Sequence, residues 1–415
     1  MFKTSRAKSG GQAKTRIAYL VSHPIQYQAP LLRQIAAQND IDLTVFFASD
    51  FSVHRHIDKD FQKEINWDVD LLSGYRHEFL PPFLPLRAGE APNFWRPFGG
   101  GLFSRLKAGQ FDVVWIHGFH RAAHLLAIFY AKILGIKIML RDEPAANSAA
   151  RSLGKILVKR AVFSVLTRMV DQFLAIGTAN LEYWQELGVP KAKITLMPYA
   201  VDNDFFRQNI AQMRQANTPS PRRKLGLADS ALIVLFVGKL IPRKRPLDLI
   251  QALKIVNQTG KNHAGDIHLV LAGDGELRSE LAQAAQKLGL AQRVHITGFQ
   301  SQAELAGWYD CADILALPSE RETWGLVVNE AMNGGLALLL SDRIGSGRDL
   351  LRAGENGYSY CTGHIKEIAH CLTLLTHDRQ HLAQMGEVSR ALIEKWDFAA
   401  DIAGLRQALG KIFRR

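Results

Sequence analysis

Two glutamates, Glu322 and Glu330, are the residues of this chain whose types and spacing best suit chemistry. They lie in the run Pro318-Ser319-Glu320-Arg321-Glu322-Thr323-Trp324-Gly325-Leu326-Val327-Val328-Asn329-Glu330-Ala331-Met332-Asn333-Gly334-Gly335. The stretch before it, Asp313 to Leu317, is apolar and reads as a buried parallel strand. A helix is expected to start near Thr323 or Trp324 and to stop at Gly334-Gly335, where glycine permits a left-handed exit. Glu322 then stands at the helix mouth, where the dipole favours an acid. Glu330 stands inside the helix on the face of Leu326 and Val327, which is expected to pack on the sheet. A carboxylate on an apolar face costs several kcal/mol unless something binds it. A helix mouth at the carboxyl end of a parallel strand is where α/β proteins take ligands, and its free N–H groups suit a phosphate. The pattern therefore offers an anion site at Trp324 to Leu326, with a carboxylate on either side. A sugar joined to a diphosphate fits it, phosphates on the N–H groups and hydroxyls on the carboxylates.

Other candidates sit at strand ends. After the strand expected at Leu232 to Val237 comes Gly238-Lys239-Leu240-Ile241-Pro242-Arg243-Lys244-Arg245, whose four cations repel one another unless an anion or water separates them. Gly273-Asp274-Gly275-Glu276 follows the apolar run Ile267 to Leu271. Small residues in such a turn let backbone approach a ligand, but the run is not G-x-G-x-x-G, so the dinucleotide fingerprint is missing. In the first half, His23, Gln26 and Tyr27 lie in the loop after the strand expected at Arg16 to Ser22. His117 ends the strand Asp112 to Ile116. Arg141 and Asp142 follow the strand Ile136 to Leu140 and open toward the same cleft edge. His23, Gln26, Tyr27, Arg141 and Asp142 are acceptor-site candidates; the alternatives are a loop histidine hydrogen-bonded to backbone for His23 and solvated loop charges for Arg141 and Asp142. Asp68-Val69-Asp70 matches the metal-binding D-x-D pattern, but it lies in a polar segment without strand-helix rhythm and reads as a turn or a solvated face.

The E-x7-E spacing, the intervening Gly325, the flanking Pro-Ser and the closing Ala-Met with its glycine pair resemble the signature of the retaining GT-B glycosyltransferases of family 4. Ser22 to Tyr27 resembles the opening of a bacterial subgroup of that family, without the Gly-Gly pair that many members carry there. The resemblance covers nearly all of the chain from about Arg16 and is most specific in the second half. It implies that Glu322 contacts the transferred sugar and Glu330 the nucleotide ribose. It puts Lys239 (an arginine in most members) and Lys244, with Arg245 beside it, on the donor diphosphate. It puts Phe299 at the base and His117 near the sugar, a buried structural histidine being the other reading of His117. Catalytic roles thus fall to Glu322, His117 and Lys244. Donor binding falls to Lys239, Lys244, Arg245, Gly273, Phe299, Glu322, Thr323, Trp324, Gly325, Leu326 and Glu330. No metal and no cofactor is expected beyond the nucleotide-diphosphate-sugar itself. Two other classes share the fold: a nucleotide-sugar epimerase, which does not need the glutamate pair, and a catalytically silent membrane assembly partner.

Positioning these residues takes an α/β architecture. Strands alternate with helical runs along the whole chain, so parallel sheets are expected, and the 415 residues suffice for two cores. The resemblance implies a GT-B fold, two Rossmann-like domains facing a central cleft. The expected divisions are a basic disordered tail at 1–15, an acceptor-binding domain at 16–207, a linker at 208–223, a nucleotide-sugar-binding domain at 224–394 and a helix at 395–415 that returns to the first domain. Three cysteines without a CxxC pair indicate neither a disulfide framework nor a zinc site. No secretory signal or membrane span is expected, hence a cytoplasmic protein. The net charge of +12 has no nucleic-acid-binding motif to go with it. Anionic substrates or an anionic membrane surface account for it. The basic-apolar run Ala150 to Val170 reads as a surface helix packed on the sheet; a helix lying on an anionic membrane is the other reading, to which the basic tail also points. The acceptor is expected to be a saccharide or lipid-linked saccharide.

Overall fold

The computed structural model describes residues 14–50, 52–53, 56–58, 63–65, 70–85, 93–144, 153–215, 220–258 and 266–413. Of the D-x-D run, Asp68 and Val69 lie outside these residues. Asp70 sits in a turn, accepting from the N–H groups of Leu72 and Ser73 at 3.0 and 3.1 Å.

The first domain is built on a parallel sheet of seven strands: β1 (Thr15–Val21), β2 (Ile41–Phe47), β3 (Arg76–Phe79), β4 (Val113–His117), β5 (Lys137–Arg141), β6 (Gln172–Ala175) and β7 (Ile194–Leu196). Their spatial order is β7-β6-β5-β4-β1-β2-β3. Both faces are covered, as the unbroken apolar runs require. In β1, Ile17, Tyr19 and Val21 join one core while Ala18 and Leu20 join the other. Helices α1 (Ala29–Ala36) and α7 (Phe398–Phe413) cover the first face; α2 (Leu102–Gly109), α3 (Ala122–Ile133), α4 (Leu153–Met169) and α5 (Thr178–Glu186) cover the second.

The second domain has a parallel sheet of six strands: β8 (Leu232–Val237), β9 (Ile267–Ala272), β10 (Val294–Gly298), β11 (Ile314–Leu317), β12 (Ala337–Ser341) and β13 (Gly357–Tyr360), in the order β10-β9-β8-β11-β12-β13. Helix α6 (Leu326–Gly334) follows β11. It ends as the sequence requires, with Gly335 at φ +77°. It begins later than expected, at Leu326 rather than Thr323 or Trp324, because Gly325 takes φ +91° and Glu322 bridges to Ile344 in extended backbone.

The polar stretch expected as a linker is mostly helical. A helix spans Asn203–Gln215, across the expected boundary at 207, and a short one spans Pro221–Lys224. Phe206 and Ile210 pack into the second core, so the chain has already changed domain there. Its polar composition reflects one solvated face, which by sequence alone looks like a linker.

Helix α7 closes the chain onto the first sheet, and one contact there corrects the sequence reading. Arg141 is not an acceptor ligand. Its guanidinium is buried, donates to the Met197 carbonyl at 2.9 Å, lies 3.3 Å from the Asp401 carboxylate and stacks over Tyr199. Asp401, 260 positions away in sequence, neutralises it. Breaking such a buried pair from one side strands the other charge at a cost of about 3–5 kcal/mol. Asp401→Ala should lose stability on that scale in urea unfolding. The double variant Arg141→Met/Asp401→Leu should lose clearly less.

Candidate active site

The carboxyl ends of the two sheets meet at a cleft with a cavity on either side. The second-domain cavity, about 330 Å³, is lined by the loops after β8, β9, β10 and β11, with Gln26 reaching in from the first domain. The first-domain cavity, about 660 Å³, is lined by the loops after β1, β4 and β5 and by Arg321 and Thr323 of the second domain.

The segment between β11 and α6 serves both. Glu322 bridges to Ile344 and the chain bends at Thr323, so neighbouring side chains face different ways. Arg321 and Thr323 line the first cavity, while Glu322, Gly325 and Leu326 line the second. Thr323 therefore does not reach the donor cavity assigned to it. Nor does the Trp324 side chain, which is buried, donates from Nε1 to Asn329 at 2.9 Å and stacks on Trp396 with ring centroids 5.6 Å apart.

The basic loop splits in the same way. Lys239, Arg243 and Lys244 line the second cavity. The Glu320 N–H donates to the Arg243 carbonyl at 2.8 Å, tying this loop to the glutamate segment, and the Lys244 ammonium contacts the Glu322 carboxylate. Arg245 turns away. Its backbone takes φ +51° and its guanidinium pairs with Asp248 at 2.7 Å, in the first turn of the following helix. Arg243, which the sequence reading passed over, takes its place; a position inside the same cluster was the available signal.

Gly273 and Phe299 also line this cavity, together with Gln300, Ser301 and Gln302, which the sequence did not single out. A side chain at Gly273 would put a Cβ 1.8 Å from the Gly238 carbonyl oxygen, so only glycine lets these two loops pass. Leu326, Val327 and Glu330 face the cavity, whereas Val328, Ala331 and Met332 are buried. The expectation that the Leu326 face packs on the sheet is thus corrected. Glu330 shares that face and so opens toward the ligand side. Burial pushes its carboxyl up to about 7, and the hydrogen bond from the Tyr309 hydroxyl at 2.7 Å restrains the rise.

In the first-domain cavity, His23, His117 and Asp142 are brought together. His117 lies 3.3 Å from the Gln28 amide and 3.5 Å from the Glu143 carboxylate. Burial alone would raise the Glu143 carboxyl, but hydrogen bonds from His117, Tyr199 and Tyr27 bring it down to about 2. Tyr27 does not line this cavity. Its hydroxyl holds Glu143 at 3.1 Å, making it a support for His117. Asp142 pairs with His120 at 3.1 Å. His124, missed by the sequence reading, borders the cavity as a buried imidazole with no hydrogen-bond partner at Nδ1 among the described residues. Burial, reinforced by the nearby Arg121, His117 and His120, pushes its pKa down to about 3, so it is neutral. No group of three His, Cys, Asp or Glu among the described residues is placed to hold a metal ion.

Residues 217–392 match the family described as glycosyl transferases group 1. The chain is 31% identical to the D-inositol 3-phosphate glycosyltransferase of Thermomonospora curvata over 65% of its length. It is 27% identical to the N-acetyl-alpha-D-glucosaminyl L-malate synthase of Bacillus anthracis over 53% of its length. It spans 62% of the first relative and 54% of the second. Anabaena HepE, solved with UDP, superposes with a TM-score of 0.69 at 17% identity, over 95% of this chain and all of that one. The lipopolysaccharide outer core galactosyltransferase WaaB superposes with a TM-score of 0.64 at 17% identity over 95% of this chain. The fold is GT-B.

The position of Glu330 makes its titration measurable. A carboxyl-carbon NMR titration, assigned by difference against Glu330→Gln, should find it near pH 7. Tyr309→Phe should raise it further, since the hydroxyl bonds the ionised form. Titration in the ordinary range near 4.5 in the unmodified protein would contradict this geometry.

Proposed function

We propose that this chain, whose residues 217–392 match the glycosyl transferases group 1 family, is a retaining glycosyltransferase moving a sugar from a nucleotide-diphosphate-sugar to an acceptor hydroxyl. The observation that carries the reading is the division of Arg321, Glu322 and Thr323 between the two cavities, which makes Glu322 the residue at their junction. In this reading the donor occupies the second-domain cavity, with its ribose on Glu330, its base toward Phe299 and its diphosphate among Lys239, Arg243, Lys244 and the amides that open α6. The acceptor, a saccharide or lipid-linked saccharide, occupies the first-domain cavity. The setting is cell-surface polysaccharide or glycolipid synthesis, on the cytoplasmic side of a membrane whose anionic surface the basic chain contacts.

The reaction breaks the bond from the anomeric carbon to the diphosphate oxygen and forms the new glycosidic bond on the same face. The acceptor proton passes to the departing phosphate oxygen. Charge builds on the leaving group, and cations already fixed around it stabilise that charge most at the transition state. Glu322 touches the sugar as it develops positive character, and His117, oriented by Gln28 and Glu143, positions it. Lys244 is shared between the Glu322 carboxylate and the diphosphate. Three cations and a helix mouth serve the leaving group, so the reaction needs no divalent ion. Activity should survive EDTA, and its loss with recovery on adding a divalent cation would refute this point.

The two glutamates should separate in kinetics and binding. Glu322→Gln removes charge while keeping shape, so its main loss is in kcat. It also leaves Lys244 to the diphosphate alone, so the free nucleotide diphosphate should bind at least as tightly as before. Glu330→Ala removes the acceptor of ribose hydrogen bonds and should weaken the same ligand by about 1.5–3 kcal/mol, with kcat at saturating donor less affected. Calorimetric titration of nucleoside diphosphates, followed by turnover assays with and without added acceptor, tests both. Equal losses of binding in the two variants would reverse the assignment, and turnover without any acceptor would favour an epimerase.

A further inference from the structure

The outer surface of the first domain carries an apolar face that stands exposed among the described residues. Helices α3 and α4 pack on the same side of the sheet, through Ala127, Ile128 and Ala131 from one and Phe163 and Leu166 from the other. Their opposite faces therefore look the same way. On α3 that face presents Leu125, Phe129 (53% exposed) and Ile133 (57%) at one-turn spacing. On α4 it presents Leu157 (65%), Val162 and Val165 (54%). Beside the start of α3, where the Ala122 N–H donates to the Phe94 carbonyl at 2.9 Å, Phe94 and Trp95 (62%) are exposed as well. Of the thirteen large hydrophobic residues exposed among the described residues, these two helices and this loop supply eight. Single exposed apolar residues need no explanation, but eight gathered on two helices of one side and the loop beside them do.

Charge narrows the partner. Neither helix holds an aspartate or glutamate, and exposed Lys132, Lys159, Arg160 and Arg168 stand among the apolar positions. An apolar stripe flanked only by cations, with a tryptophan at its margin, is the composition that lies in the plane of an anionic lipid surface. No helix among the described residues is long and apolar enough to cross a membrane, so contact would be from one side.

We infer that the outer face of α3 and α4 rests on an anionic bilayer, with Leu125, Phe129, Ile133, Leu157 and Val165 entering the headgroup boundary. This deepens, and rests on, the reading of a membrane-side glycosyltransferase. It adds an orientation, because Arg121 and His124 at the start of α3 and Lys159 of α4 also line the first-domain cavity. The cavity then opens at the level of the headgroups, where a lipid-linked acceptor presents its saccharide without leaving the bilayer.

Sedimentation with vesicles tests this independently of turnover. The unmodified protein should co-sediment at low salt with phosphatidylcholine vesicles containing phosphatidylglycerol and not with phosphatidylcholine alone, and rising salt should weaken the binding. Phe129→Glu/Leu157→Glu/Val165→Glu should cut the bound fraction about tenfold or more, with an unchanged circular-dichroism melting curve; Phe129→Ser/Leu157→Ser/Val165→Ser, which adds no charge, should fall between. No binding by the unmodified protein, or equal binding by the glutamate variant, overturns the inference. A dimer seen by light scattering that the same substitutions dissociate assigns the face to a second copy and overturns it too. Because vesicle binding needs no donor, it can fail while the transfer reaction stands, and transfer can fail while vesicle binding stands.

Discussion

The pinned backbone from Glu322 to Trp324 is the constraint on which the rest of the cleft depends. The Glu322 N–H donates to the Arg343 carbonyl at 3.2 Å, its carbonyl accepts from Gly345 at 3.0 Å, and the Trp324 carbonyl accepts from Ser346 at 3.0 Å. All three bonds run to residues 343–346, so one neighbouring segment fixes this backbone and the directions of its side chains. Thr323 and Glu322 are thereby sent to different cavities by a peptide bond's difference in position. The left-handed Gly325 then turns the chain into α6, a conformation costly for any residue with a Cβ.

The same segment fastens the domains together. Trp324 lies between Tyr199 and Trp396, and the Tyr199 carbonyl accepts from both the Asn329 amide and the Trp396 indole, at 3.1 and 2.6 Å. Asn333 and Asn203 add a buried bond across the crossing, and Thr178 at the start of α5 donates to Asp349 of the second domain at 2.6 Å. Buried amides and indoles of this kind are satisfied only in one mutual arrangement. The aromatic that sequence reading gave to the donor thus sets the distance between the two cavities.

The two cavities differ in how their charges are arranged rather than in how many they hold. The second-domain cavity gathers Lys239, Arg243 and Lys244 on one loop against Glu322, with Glu330 set apart beside Tyr309. The first-domain cavity draws Arg121, Lys159 and Arg321 from three separate segments and sets a histidine beside each carboxylate, His117 by Glu143 and His120 by Asp142. Cations crowded on one loop suit a compact, multiply charged anion.

Sequence alone determined the alternating α/β architecture, the strand cores, the glycine that ends α6, and the cluster of Lys239, Lys244, Glu322 and Glu330. Each of these is a local statement: an apolar run buried on both faces, a φ that only glycine takes easily, like charges crowded within a few residues. It could not determine the far ends of side chains. Arg141 looked like a cleft charge because Asp401 is 260 positions away. Arg245 and Arg243 are indistinguishable in composition, and only the αL turn with Asp248 behind it sends one away from the cavity. Tyr27 and His124 depended on Glu143 and on the approach of α3 to the β4 loop. Residues 208–215 looked like a linker until the second domain covered the apolar face of their helix. Tertiary structure decided these because burial and pairing are set by whichever partner the fold brings near, and no local pattern encodes a partner from another strand or domain.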